Sequence, residues 1–368
     1  MKYLSLVLLI CLSALNISAE EKDSNLTMLV GTYTGAGSNG IYSMRFNEDS
    51  GDFTMLDSAK VANPSYLTLS HDNKYVYAVS EGGKDDSKLN AFKFSKRDGK
   101  FKFLNSVSSQ GSSPCYVSTV DNAMIVANYG DGVLSVFNPL YDGKLLDASQ
   151  TMKYQTTGPV KGRQDGAHLH CAVASPDMKY LFATNLGGDC IYQYWLFKVG
   201  DEVLLRSSDT EMIRVAPGSG PRHLIFSPNG QNAYLISEIG GTVTAFHYDG
   251  NTLNEFQTVQ VDSLKAAGSG DIHISPDGRY LYASNRLKGD GIAIMQVADD
   301  GSLTKCAYQD TKRHPRNFII TPNGKYLLVA CRDDNTIQIF KINIETGLLE
   351  DTGKAITLSK PVCIKFAK

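Results

Sequence analysis

A twelve-residue pattern recurs six times along the chain and limits the fold more than any other feature. It reads "SHDNKYVYAVSE" from Ser70, "STVDNAMIVANY" from Ser118 and "SPDMKYLFATNL" from Ser175. It returns as "SPNGQNAYLISE" from Ser227, "SPDGRYLYASNR" from Ser275 and "TPNGKYLLVACR" from Thr321, with successive starts 46 to 57 residues apart. Each copy joins a turn rich in Pro, Asp, Asn or Gly to a short apolar run, and another apolar run precedes it. Downstream come runs such as "GTVTAFHY", "GIAIMQV" and "TIQIFKI", then glycine turns such as "DGSL" and "TGLL". The unit is therefore four short strands, A to D, with the recurring turn between A and B. Four strands repeated at this period predict an all-β chain, a seven-bladed β-propeller. Six blades are complete in sequence, and the chain ends supply the seventh. "KPVCIKFAK" at 360–368 reads as its strand A, "TMLVGTYTG" at 27–35 as strand B and "GIYSMRF" as strand C. Closing the last blade with both termini removes an open sheet edge.

The expected organisation is a leader at 1–19, a linker at 20–26 and one propeller domain at 27–368. The leader, "MKYLSLVLLICLSALNISA", has one lysine, an apolar stretch and a small-residue end suited to cleavage after Ala19. It predicts an exported, periplasmic protein. Cys11 after "LLI" leaves a lipid anchor as a second reading and a cytoplasmic chain as a third. The apolar stretch is too short to span a bilayer as a mature helix, and no later segment is apolar enough. Lys and Arg total 36 against 38 Asp and Glu, a net charge of -2, which gives no footprint for nucleic acid. The seven cysteines form no CxxC, so the later six read as small hydrophobes in apolar runs and no zinc site is suggested.

The polar residues follow from the hairpin geometry. The residue opening strand A lies beside the one ending strand B, so Arg222 and Glu238 meet at one end of a blade. The same positions elsewhere give Tyr66 and Glu81, Tyr116 and Asn128, then His168, His170 and Asn185. They continue with Asp271, His273, Asn285 and Arg286, then Arg316, Asn317 and Arg332. All are expected around one mouth of the central channel. Taken singly, each has a plain structural explanation: Arg222 and Glu238 as an ion pair, the asparagines as partners of nearby backbone. Their convergence favours a ligand site, because burying so many charges for stability alone is costly. Arginines suit bidentate recognition of phosphate or carboxylate. A histidine or glutamate suits general-base work, and an arginine beside a developing oxyanion stabilises it. "GTYTGAGSNG" at 31–40 is glycine-rich but precedes no helix, and reads as a loop.

In order, "LVGTYT…GIY", "NPSYLTLS", "SPCYV", "VANYGDGVLSVF", "RQDGAHLH", "GPRHLIFSPNG", "SPDGRYLYASNR" and "HPRNFIITPNGKYLLVA" resemble the lactonase family of seven-bladed propellers. That family includes propeller-type 6-phosphogluconolactonases and fungal carboxymuconate cyclases. The resemblance implies catalytic roles for His170 (or its neighbour His168), Arg222, Glu238 and Arg286. Asn128, Asn185, Asn285, Arg316, Glu81 and His168 are the accompanying substrate-binding candidates. Ala167 stands where many relatives have proline, and "SEGG" departs from the commoner Asn-Glu at 80–81. The implied activity is opening of an acidic sugar lactone by water, with His170 or Glu238 as base and no metal or cofactor. Muconate cycloisomerisation, and a non-catalytic propeller binding a sugar acid or protein, are the alternatives. On the sequence alone, Glu238→Gln is expected to cut turnover with little change in folding.

Overall fold

The computed structural model describes residues 24–367; the leader at 1–19 lies outside them, as does most of the expected linker. Twenty-eight strands form seven four-stranded antiparallel sheets arranged as blades around a central channel. The recurring turn explains itself locally. Ser227 Oγ donates to Asn229 Oδ1 at 2.6 Å and accepts from the Asn232 amide at 3.0 Å. The Gly230 amide donates to Ser227 O at 2.9 Å, with Gly230 at φ 72°, a left-handed conformation suited to glycine. Ser275 and Thr321 head the same arrangement in the next two blades.

Strand A of each blade is innermost and strand D outermost, and burial follows that order. All six residues of the B strands Ala123–Asn128, Tyr180–Asn185, Asn232–Ser237, Tyr280–Asn285 and Tyr326–Cys331 are buried. Their continuous apolar runs are covered on both faces by neighbouring blades: Tyr234 and Ile236 share one cluster with Leu281, Ala283 and Met295. The outer strand Leu253–Gln260 is instead mostly exposed or half-buried.

The ring closes as the sequence implies. Pro361–Ala367 is strand A of the last blade and pairs antiparallel with Asn25–Thr32, Met28 opposite Phe366 and Val30 opposite Ile364. Strand B begins at Asn25, within the stretch expected to be linker. Among the described residues no helix is long and apolar enough to cross a membrane. The six described cysteines are free; five are buried, whereas Cys306, expected to be inside, is exposed on a D strand.

Candidate active site

One backbone device builds the site. Near the start of several A strands the pairing with strand B slips by one residue. Leu169 pairs with Asn185 and Cys171 with Thr184, which leaves His170 as the extra residue. The same slip leaves Arg222 extra between Pro221 and His223, and Arg316 extra between Pro315 and Asn317. A β-bulge re-aims a side chain that strict alternation would send into the sheet face. Here it gathers a histidine and two arginines from three blades at one mouth of the channel.

Glu238 is the centre of the charge cluster. Its Oε2 accepts from Arg222 Nε at 2.8 Å and lies 3.2 Å from Arg286 Nη2, while Oε1 accepts from Arg163 Nη2 at 2.6 Å. Burial alone would raise the Glu238 carboxyl, but Arg286, Arg222 and Arg163 overcome it and hold it at about 2. Glu238 is therefore ionised at neutral pH, and both oxygens are already engaged. Arg222 is 2% exposed and donates from Nη1 to Gly270 O at 2.7 Å; its Nη2 makes no hydrogen bond among the described residues. Arg286 donates from Nε to Gly268 O at 2.7 Å and from Nη2 to Ser269 O at 3.2 Å, so it chiefly braces Glu238.

His170, 4% exposed, is the contrasting group. Its ring lies edge-on to Tyr129 at 5.6 Å and to His223 at 5.2 Å, and its buried Nδ1 has no partner among the described residues. Burial, then Arg222 and His223, pushes its pKa well below the ordinary 6.5, so the imidazole is neutral at pH 7. An unpartnered buried polar atom is uncommon and needs a reason. His168 stacks on Tyr129 at 4.4 Å and bonds Tyr129 O through Nδ1 at 2.8 Å. Across the mouth, Arg316 sits 5.5 Å over the Tyr33 ring and 3.9 Å from Glu81, whose Oε2 accepts from Tyr33 Oη at 2.9 Å. Four guanidinium groups (Arg163, Arg222, Arg286 and Arg316) thus face two carboxylates, Glu81 and Glu238. The surplus is positive.

The structure revises other sequence assignments. Asn128, Asn185 and Asn285 are at most 1% exposed and serve as scaffold. Asn128 Nδ2 donates to Val133 O at 3.0 Å, and Asn285 Nδ2 to Val261 O at 3.0 Å. Asn185 accepts from the His168 amide at 2.8 Å and donates to Thr156 Oγ1 at 2.7 Å. Their Nδ2 groups answer loop backbone and neighbouring hydroxyls, while Asn128 Oδ1 has no partner among the described residues. Arg332 is taken up by its neighbour Asp333 at 2.7 Å. Tyr66, Tyr116, Asp271 and His273 face the other mouth. There, with Lys365, Phe226 and the turn residues Pro176 and Ser227, they line a cavity of about 450 Å³. The stacked Tyr66 and Tyr116 rings, 4.3 Å apart, contribute to its wall.

Three residues escaped the sequence reading. Tyr33 and Tyr129 carry no charge pattern to flag them. Arg163 lies in the connection between Lys153 and Leu169, outside the four-strand repeat. The only signal was the longest repeat spacing, 57 residues, which marks an insertion on this side.

The chain matches the family described as "Lactonase, 7-bladed beta-propeller" over residues 27–366. A 6-phosphogluconolactonase of Formosa agariphila is 36% identical over 335 residues, covering 88% of this chain and 94% of that protein. The structure of a periplasmic gluconolactonase from Pseudomonas aeruginosa superposes with a TM-score of 0.89 at 31% identity, covering 94% of this chain and 99% of the other. A Bacteroides fragilis structure, proposed to be a 6-phosphogluconolactonase, reaches 0.93 at 53% identity with the same coverage, 94% and 99%. With the whole ring matched, the chain belongs to the lactonase family of seven-bladed β-propellers.

Proposed function

We propose that the protein is a lactone hydrolase that opens a sugar-acid lactone by attack of water at the acyl carbon. The observation that carries this is the pairing of a surplus of arginine with a neutral imidazole, His170, whose Nδ1 has no partner among the described residues. Water gives its proton to His170 as its oxygen bonds to the carbonyl carbon. The carbonyl electrons move onto oxygen, where the open Nη2 edge of Arg222 meets the oxyanion. Collapse breaks the ring C–O bond, and the proton passes from imidazolium to the leaving alkoxide, giving a hydroxy acid. Glu238 is not the base in this scheme. Three arginines occupy it and its proton affinity is low, so it holds Arg222 and Arg286 in place.

The names of the relatives, 6-phosphogluconolactonase and gluconolactonase, support an aldonolactone as substrate. Arg316, whose nearest carboxylate is 3.9 Å away, is the group best placed to receive an acidic substituent. The leader sequence and the periplasmic neighbour support action outside the cytoplasm, where a lactone without phosphate is the expected substrate. The test is a pH-stat screen of aldonolactones with and without a 6-phosphate, corrected for spontaneous opening. Catalysed opening of at least one, lost in His170→Asn, is the expected result. No acceleration of any lactone by folded protein would refute the proposal.

A further inference from the structure

Asp189 is a buried carboxyl group that the reaction scheme leaves unused. It stands at the corner between the strands Tyr180–Asn185 and Cys190–Val199, 6% exposed, and forms no ion pair among the described residues. Its partners are donors from two other segments. Oδ1 accepts from Gln164 Nε2 at 2.7 Å and from the Gly220 amide at 2.9 Å, and Oδ2 accepts from the Gly218 amide at 2.7 Å. Both segments lead into the charge cluster. Gln164, fully buried, follows Arg163 directly. Its Nε2 also donates to Leu186 O at 2.8 Å, and its Oε1 accepts from the Val160 amide at 3.1 Å. Gly220 lies two residues before Arg222, and its carbonyl accepts from the Glu238 amide at 2.7 Å. Ser219 O accepts from the Ile239 and Gly240 amides at 3.1 and 2.8 Å. The 218–220 segment is thus held between Asp189 on one side and the backbone of residues 238–240 on the other. One carboxyl group ties down the chain beside Arg163, Arg222 and Glu238, yet it shares no hydrogen bond with those three side chains among the described residues.

We propose that Asp189 is a positioning residue that sets Arg163, Arg222 and Glu238 in register with one another. Its effect on rate rests on the hydrolase reading; its geometric content does not. Arg222 is placed by a strand, whereas Arg163 sits in the connection from Lys153 to Leu169, where no sheet pairing fixes it. The link through Gln164 supplies that fixed point. Burying a carboxyl group is costly unless hydrogen bonds offset it, and here the bonds that do so join a corner to two connections. A displacement of about 1 Å at charged groups of a site is enough to cost rate.

Asp189 has φ 48° and ψ 49°, the left-handed region that glycine and asparagine take most readily. Asp189→Gly therefore suits the backbone of the corner and removes only the carboxyl group. Asp189→Asn suits it too and keeps one acceptor oxygen. Asp189→Gly is expected to lower kcat/KM about 10- to 100-fold, and Asp189→Asn to recover part of the loss. A residue that only shaped the corner would show the reverse order. Crystal structures of the variants give a readout independent of any substrate. Arg163 and the 218–220 segment should be displaced in Asp189→Gly and closer to their wild-type places in Asp189→Asn. In urea unfolding, the Asp189→Gly/Glu238→Gln double variant should lose less stability than the sum of the single losses, because both disturb one cluster. An unmoved Arg163 and Arg222 in Asp189→Gly, or strictly additive losses, would overturn the proposal. If Asp189→Gly does not fold, Gln164→Ala decides: Arg163 should move while Arg222 stays, and an unmoved Arg163 counts against the proposal. A wild type that opens no lactone would refute the hydrolase reading, and the crystallographic comparison would still judge this one.

Discussion

Glu238→Gln tests the charge cluster at its centre. The substitution keeps the shape of the side chain but leaves Arg163, Arg222 and Arg286 facing a neutral amide. The Glu238 side chain is 13% exposed, so solvent screens the lost interaction little. Its carboxyl is held at about 2 against an ordinary 4.5. At about 1.4 kcal/mol per pKa unit this corresponds to about 3 kcal/mol of folding stability at pH 7, within the range for breaking a buried pair. A group whose folded-state value is depressed stabilises the fold fully above its unfolded value. That contribution is lost as pH falls through the folded value. Urea unfolding should therefore show wild type more stable than Glu238→Gln by about 3 kcal/mol at pH 7. The gap should narrow below about pH 4.5 and close near pH 2. The milder outcome expected from sequence assumed one arginine beside this carboxylate, and the structure supplies three. Equal stability of the two proteins at pH 7, or a gap independent of pH, would refute the reasoning.

Deleting residues 360–368 removes the Pro361–Ala367 strand, whose Val362, Cys363 and Ile364 are at most 1% exposed, and opens the edge of Asn25–Thr32. The expected outcome is loss of the cooperative unfolding transition or aggregation, read by circular dichroism and size exclusion. Met178 stands at φ 58° and 44% exposed in the position that Gly230 fills in the next blade. Met178→Gly should stabilise the protein by up to about 1 kcal/mol in urea unfolding, because only glycine takes that conformation without a Cβ clash. N-terminal sequencing of protein made in its native host should begin at Glu20 and locate it outside the cytoplasm; an intact Met1 on cytoplasmic protein would contradict export.

The ring and its closure were legible because their causes are local. The Ser-x-Asn-Gly turn writes its own hydrogen bonds, and B strands covered on both faces must be apolar throughout. The meeting of Arg222 with Glu238 was legible for the same reason, since hairpin ends meet. The bulges were not. One extra residue near the start of an A strand leaves the apolar pattern intact yet changes which side chain faces which mouth. That is why Asp271, His273 and Tyr116 were expected beside Glu238 but face the opposite cavity, which Tyr66 also lines. The asparagines ending the B strands could not be told from ligand-binding amides until their backbone partners were in view. Arg163 belongs to a connection outside the repeat, so the period that revealed the fold passed over it.

The central claim is that this cationic mouth, with His170 as base, directs water to a lactone acyl carbon. It is tested most directly by opening an aldonolactone, glucono-δ-lactone first, in H₂¹⁸O and locating the label by mass spectrometry. Wild type should accelerate opening and place one ¹⁸O in the product carboxylate and none in the released hydroxyl. The rate should hold level from pH 8 down through the ordinary histidine value of 6.5, because the His170 pKa lies well below it. His170→Asn should fall to near the spontaneous rate while remaining folded, and Arg222→Ala should lose about 30- to 1,000-fold. Label in the hydroxyl, or a folded His170→Asn that opens the lactone as fast as wild type, would contradict the account.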